Sequence, residues 1–107
     1  MDSTGRLEVV QISEKDFLEE VFGSRGRIRV LGALVEAGEL NISQLARRTG
    51  LNYSTVDRHC ELLRKLGLIK DKRYDRIRML EVDFHEIEVR LKKGYGLVFR
   101  VDKGDLG

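Results

Sequence analysis

The sequence predicts an α+β fold, mainly α, and three observations carry that prediction. Apolar residues recur at helical spacing in four stretches between residues 13 and 67, glycines stand at the ends of those stretches, and β-like runs take over after Gly67. With 107 residues and 41% apolar content, the chain has room for one modest core and not for a second independent one. The expected division is an N-terminal β-like extension over residues 1–12, a compact unit over 13–82, and a C-terminal extension over 83–107.

The elements follow from the residues in order. Leu7 to Ile12, with Val9 and Val10, reads as a short strand. Ser13 is placed to cap a first helix whose apolar side is Phe17, Leu18, Val21 and Phe22, with Asp16 at the third position and Gly23 as its stop. Ser24 caps a second helix, in which Ile28, Leu31, Leu34 and Val35 recur until Gly38, with Arg25 and Arg29 on its outer face. Ser43 is expected to open a short third helix with Leu45 and Ala46, Gly50 breaks it, and Asn52 caps a fourth helix that ends near Gly67. Ala46, Gly50 and Val56 stand where a helix-turn-helix needs a close crossing, a positive φ and a plug into the core.

On the fourth helix, Val56, Cys60, Leu63 and Gly67 project into one sector, with His59 and Leu66 at its edge. Ser54, Arg58, Glu61 and Lys65 lie opposite, flanked by Tyr53 and Asp57. Such a polar, partly cationic face suits the major groove of DNA, although an ordinary solvated face has the same composition. Leu68 and Ile69 then enter a strand, Arg73 to Arg76 supplies a turn, and Ile77 to Val82 returns, so that residues 69–82 form a wing. Lys70, Lys72, Arg73, Arg76 and Arg78 lie on or beside it and suit a phosphate backbone or minor groove; guarding a strand edge is the alternative use of such charges. The whole is a winged helix-turn-helix with terminal β-strand extensions.

Net charge is +2, but it is unevenly placed. Residues 1–23 carry two Lys/Arg against six Asp/Glu, residues 24–80 carry thirteen against six, and residues 81–107 carry five against six. The basic middle coincides with the motif. A surface rich in ion pairs, with only two Asn and two Gln in the chain, offers a competing account of the charge.

Residues 17–82 resemble the winged helix-turn-helix of archaeal and bacterial ArsR-like regulators. The likeness rests on Phe22-Gly23-Ser24-Arg25, Ile42-Ser43-Gln44-Leu45-Ala46, Leu51 through His59 (Leu-Asn-Tyr-Ser-Thr-Val-Asp-Arg-His), and Leu66-Gly67-Leu68-Ile69. It implies a transcriptional regulator that binds double-stranded DNA. It also implies that Tyr53, Ser54, Thr55 and Arg58 approach base edges or nearby phosphates while the hairpin arginines hold the backbone. The candidate contact set is therefore Tyr53, Ser54, Thr55, Arg58, Lys65, Lys72, Arg73 and Arg76. Asp57 departs from the serine common in that family, and Glu61 adds a second negative charge to the same surface; either would repel phosphates or accept from a cytosine amino group.

Other chemistries find little footing. The family's metal-sensing branch uses cysteine pairs in the first helix of the motif, and Ser43 to Thr49 has none, so no metal and no cofactor is expected. Cys60 is the only thiol, which rules out a disulfide framework within one chain, and its sector assigns it to packing. His59 is expected to be a partly buried helix residue, with a phosphate contact as the lesser possibility. Ser54, Asp57 and His59 share one turn of helix and cannot converge as a nucleophile, base and orienter, so no enzyme is expected. Gly94-Tyr95-Gly96 lacks the third glycine and the βαβ setting of a dinucleotide loop. The alternative to DNA binding is a winged-helix protein-interaction module in a larger assembly.

No apolar run approaches the roughly 20 residues that span a bilayer, and the N-terminus lacks the layout of a signal peptide, so a cytoplasmic protein is expected. At the C-terminus, Ile87, Val89 and Leu91 alternate with charges, Lys93 to Gly96 turns, and Leu97 to Val101 returns. A hairpin is favoured there over a helix carrying Phe84, Ile87 and Leu91. A homodimer is expected through the first helix and the terminal strands, whose apolar residues a winged-helix core does not need.

Overall fold

The computed structural model describes residues 14–104; the run Leu7 to Ile12 and the cap Ser13 lie outside the described residues. Four helices come first: α1 (Glu14–Phe22), α2 (Arg25–Ala37), α3 (Ile42–Thr49) and α4 (Tyr53–Lys65). Two hairpins follow, β1 (Ile69–Tyr74) with β2 (Ile77–Val82) and β3 (Glu86–Lys92) with β4 (Gly96–Asp102), each antiparallel.

Local chemistry sets the helix ends. The Arg27 N–H donates to Ser24 Oγ (3.2 Å) at the start of α2, and the Thr55 N–H donates to Asn52 Oδ1 (2.8 Å) at the start of α4. α3 begins at Ile42, one residue before the expected Ser43, with its cap at Asn41. Asn41 and Gln44 close a reciprocal capping box, each side chain accepting the other's backbone N–H at 2.8 Å, which satisfies two donors that a serine cap alone would not. Gly50 ends α3 in the left-handed region (φ 76°), where a β-carbon would be strained, and this turn sets α4 across α3.

The core gathers Val30, Leu31 and Leu34 of α2, Ile42 and Leu45 of α3, Val56, Cys60 and Leu63 of α4, and Leu68, Ile69 and Leu80 around the wing. The expected inward sector of α4 is thus the buried one. Leu40 and Leu80 exchange backbone hydrogen bonds of 3.1 and 2.9 Å, fastening β2 to the link between α2 and α3. Burial of the Cys60 sulfur pushes its thiol up to about 12, in keeping with a packing role.

In the wing, pairing runs from Ile69 with Val82 to Tyr74 with Ile77, so β1 extends through Arg73 and Tyr74 and only Asp75-Arg76 turns. Asp75 takes the positive φ (62°) that so tight a turn demands.

Residues 86–102 form the hairpin favoured over a helix, paired from Glu86 with Asp102 to Lys92 with Gly96. Its base is anchored by Lys103, whose ammonium donates to the Gly67 carbonyl and lies 3.6 Å from Asp83. Phe99 of β4 stacks on Phe17 of α1 with centroids 4.5 Å apart and an interplanar angle of 16°. This contact corrects one expectation. Phe17 and Val21 are buried within the chain, so the first helix does not keep them for a dimer surface.

Candidate nucleic-acid interface

The first turns of α4 present Tyr53, Ser54, Thr55 and Arg58. Tyr53 is 58% exposed, Ser54 and Arg58 are exposed, and Thr55 is half-buried. Hydrogen bonds pre-set part of this surface: Ser54 Oγ donates to Asn52 Oδ1 (3.0 Å), and Arg58 Nη2 donates to Thr55 Oγ1 (3.4 Å). Lys65 is exposed on the same stripe but stands about 16 Å along the helix from Ser54 at the usual rise per residue.

Strand alternation sorts the wing cations onto two faces. Ile69, Asp71, Arg73, Arg78 and Leu80 share the face that turns toward the helices, whereas Lys70, Lys72 and Tyr74 share the other. On the first face Arg78 Nε donates to Asp71 Oδ2 (2.9 Å), and Arg78 Nη1 lies 3.5 Å from Asp57 Oδ1 of α4. This clamp joins α4 to the wing across the sheet. On the second face Lys72 sits 3.1 Å from both Glu39 and Glu81, and Tyr74 donates its hydroxyl to Glu39 (2.9 Å). Hydrogen bonds from Tyr74 and then Lys72 hold the Glu39 carboxyl below the usual carboxylate range, and those to Glu39 and Glu81 hold the Lys72 ammonium above its own.

The structure therefore brings Tyr53, Ser54, Thr55 and Arg58 together and sets Arg73 on the wing face nearest them. It does not bring Lys72 to them, because a period of two turns that side chain away and two carboxylates hold it there. Arg76 is exposed at the tip. The concern over Asp57 and Glu61 is answered by pairing: Arg78 faces the first, and Arg64 donates to Glu61 Oε1 at 2.6 and 3.1 Å. Sequence reading missed the Asp57–Arg78 clamp because its partners are separated by twenty-one residues and meet only when the wing folds back. Arg47 and Arg48 are exposed in the last turn of α3, and in the sequence their charge is the one signal they carry.

Residues 24–71 match the family model described as bacterial regulatory protein, arsR family. This match spans 48 of the 107 residues, and over it the chain resembles an arsR-family helix-turn-helix domain. With the hairpin that follows, the described residues have the winged-helix fold of solved regulators. The chain is similar to a MarR family transcriptional regulator from Silicibacter pomeroyi DSS, at 28% identity over 62% of this chain and 46% of that one, with a TM-score of 0.55. It is similar to a possible transcriptional regulator for arsenical resistance, at 26% identity over 60% and 66% of the two chains, TM-score 0.54. In fold alone it is like the AntR antimony-specific transcriptional repressor, at 20% identity over 68% and 70%, TM-score 0.56. The aligned part spans about half the length of the MarR-family structure, 46% of it. No curated protein matches the chain in sequence. Among the described residues, no helix is long and apolar enough to cross a membrane, and no three His, Cys, Asp or Glu side chains gather as a metal site.

On the inner side of α4, His59 is half-buried against α2, so close that a β-carbon on Gly26 would lie 2.6 Å from His59 Nε2. Burial, then the charges of Arg27 and Arg58, lower its pKa from the ordinary value. Lowering favours the neutral imidazole in the folded state, so the unfolded chain binds the extra proton first as pH falls. Stability is therefore whole above the unfolded value of about 6.5 and declines as pH drops from there toward the folded pKa. Urea midpoints of the wild type should fall between pH 7.5 and 5.5, and His59→Gln should reduce that fall; equal falls in both proteins would remove His59 as the source.

Proposed function

We propose that the chain binds double-stranded DNA and regulates transcription, acting by binding rather than by catalysis, in the cytoplasm and as a homodimer. The observation that carries this reading is the exposed stripe of Tyr53, Ser54 and Arg58 at the start of α4, held beside the wing by the Asp57–Arg78 pair. A helix so presented enters a major groove with its N-terminal residues toward base edges, while arginines at a neighbouring hairpin meet the backbone. The match of residues 24–71 to the arsR-family model and the regulators of similar fold support the same role. Lys65 belongs to the proposed contacts as a phosphate partner at the far end of α4; Lys72 is left out of them.

Selection of bound fragments from a random duplex library, followed by titration of a labelled preferred site, tests the proposal. Failure of a well-folded sample to bind any duplex at low salt would overturn it in favour of a protein-interaction module. Arg58→Ala should cost about 1–3 kcal/mol on the preferred site and flatten discrimination between sequences. Arg73→Ala with Arg76→Ala should weaken binding to every duplex alike, because contacts with phosphate carry no sequence information. An unaltered sequence profile in the Arg58 variant would remove that residue from base readout.

A further inference from the structure

Phe99 of β4 stacks on Phe17 of α1, but among the described residues each strand of the second hairpin has only the other as a neighbour, so two outer edges are open, that of β4 and that of β3. Along the β3 edge Glu86, Glu88, Arg90 and Lys92 share one face, and Ile87, Val89 and Leu91 share the other. Leu91 is 82% exposed and Val89 45%, although their β4 partners Leu97 and Phe99 are half-buried.

The charge order is self-complementary. When β3 is laid antiparallel to a copy of itself about Val89, Glu88 falls opposite Arg90, Glu86 opposite Lys92, and Ile87 opposite Leu91. Moving the register by two residues in either direction sets Glu88 against Glu88 or Arg90 against Arg90, which like-charge repulsion disfavours. The β4 edge is less suited, since reversal about its central Phe99 sets Arg100 against Val98 and Asp102 against Gly96, and the one reversal that sets Arg100 against Asp102, about Val101, overlaps only the end of the strand. Charges on an edge strand usually deter pairing, but an edge whose reversed sequence neutralises it does not deter its own copy. Within the chain Glu88 lies 3.5 Å from both Arg90 and Arg100, long exposed contacts that leave it available to a further cation.

From this pattern we propose that β3 is a homodimerisation edge, pairing antiparallel with β3 of a second copy about Val89 to make one four-stranded sheet. The pairing would satisfy the outward backbone groups of both edges and lay Leu91 beside the partner copy's Ile87 on a continuous apolar face. This inference rests on the dimer part of the function proposed above and not on DNA binding.

Sedimentation equilibrium of the full chain at micromolar concentration tests it through exchanged charges. Glu88→Arg alone and Arg90→Glu alone each create two like-charge pairs across the axis and should weaken the dimer at least about tenfold. An equimolar mixture of the two variants restores opposite charges at both pairs and should recover wild-type association, as should the double variant in one chain. Both sites are on the exposed side of the hairpin, and circular dichroism checks that each variant is folded. A wild-type dimer unaffected by either reversal, or a mixture that stays monomeric, would overturn the edge while leaving a dimer through another surface. A monomeric wild type would overturn the edge and the dimer together, and titration of the same samples with duplex would show whether DNA binding stands without them. A monomer that dimerises only when residues 1–12 are removed would assign the edge to the chain's own N-terminal segment and so overturn pairing in the intact protein.

Discussion

Phe17→Ala should lower the unfolding free energy by about 3 kcal/mol or more, the usual cost of emptying a phenylalanine site in a core. Phe17 is 7% exposed and carries the ring contact with Phe99, so truncation removes both buried area and an aromatic pair. In a domain of this size, a loss of that order is a large share of total stability. The damage should be uneven. Leu34, Leu45, Val56 and Leu63 lie at the centre of the core, whereas Phe17 joins it at its edge, where half-buried Phe99 of β4 packs against the ring. Hydrogen exchange should therefore rise first in β3 and β4 and last in α2 and α4. A urea titration gives the global loss, and Phe99→Ala alone and combined with Phe17→Ala completes a cycle whose coupling should be about 0.5–1.5 kcal/mol. Uniform acceleration of exchange across helices and hairpins would show that the second hairpin is not held by this contact.

Raising salt from about 50 to 200 mM should weaken binding to any duplex by roughly 10³–10⁵ if a dimer meets about six to ten phosphates, because each neutralised phosphate releases counterions. The structure narrows which cations can contribute. Lys72 lies between Glu39 and Glu81, and Arg78 between Asp57 and Asp71, so neither is the first candidate for a phosphate. Arg58, Arg73 and Arg76 are exposed, as are Arg47 and Arg48 on α3. Fluorescence titrations of one labelled duplex across a salt series give the slope. Removing Arg73 and Arg76 together should make it shallower by about 2 for each protomer on the duplex, about 4 for a dimer, whereas Lys72→Ala should leave it unchanged. A shallower slope in the Lys72 variant would mean that its ion pairs open on DNA and that the second face of the wing is also used.

Much of this was legible in the residues because it depends on short-range chemistry. The inward sector of α4 follows from 100° per residue, and Val56, Cys60 and Leu63 are buried as that spacing requires. The left-handed turn at Gly50, the cap at Asn52 and the alternation of β3 and β4 are likewise local matters. Even the start of α3 was written in the pair Asn41 and Gln44, although the serine two residues on was the more obvious cap.

What the amino-acid order did not determine by itself was the pairing of charges and of surplus apolar side chains. Thirteen cations in the central segment look alike in composition, and only the fold turns Lys72 toward Glu39 and leaves Arg73 on the opposite face of the wing, with Arg78. Phe17 looked available to a partner molecule until β4, more than eighty residues later, laid Phe99 against it. Helix sectors and turns depend on neighbours a few residues away, so the sequence decides them directly. Ion pairs and ring stacks depend on which distant surfaces the chain brings within a few ångströms, and only packing decides that.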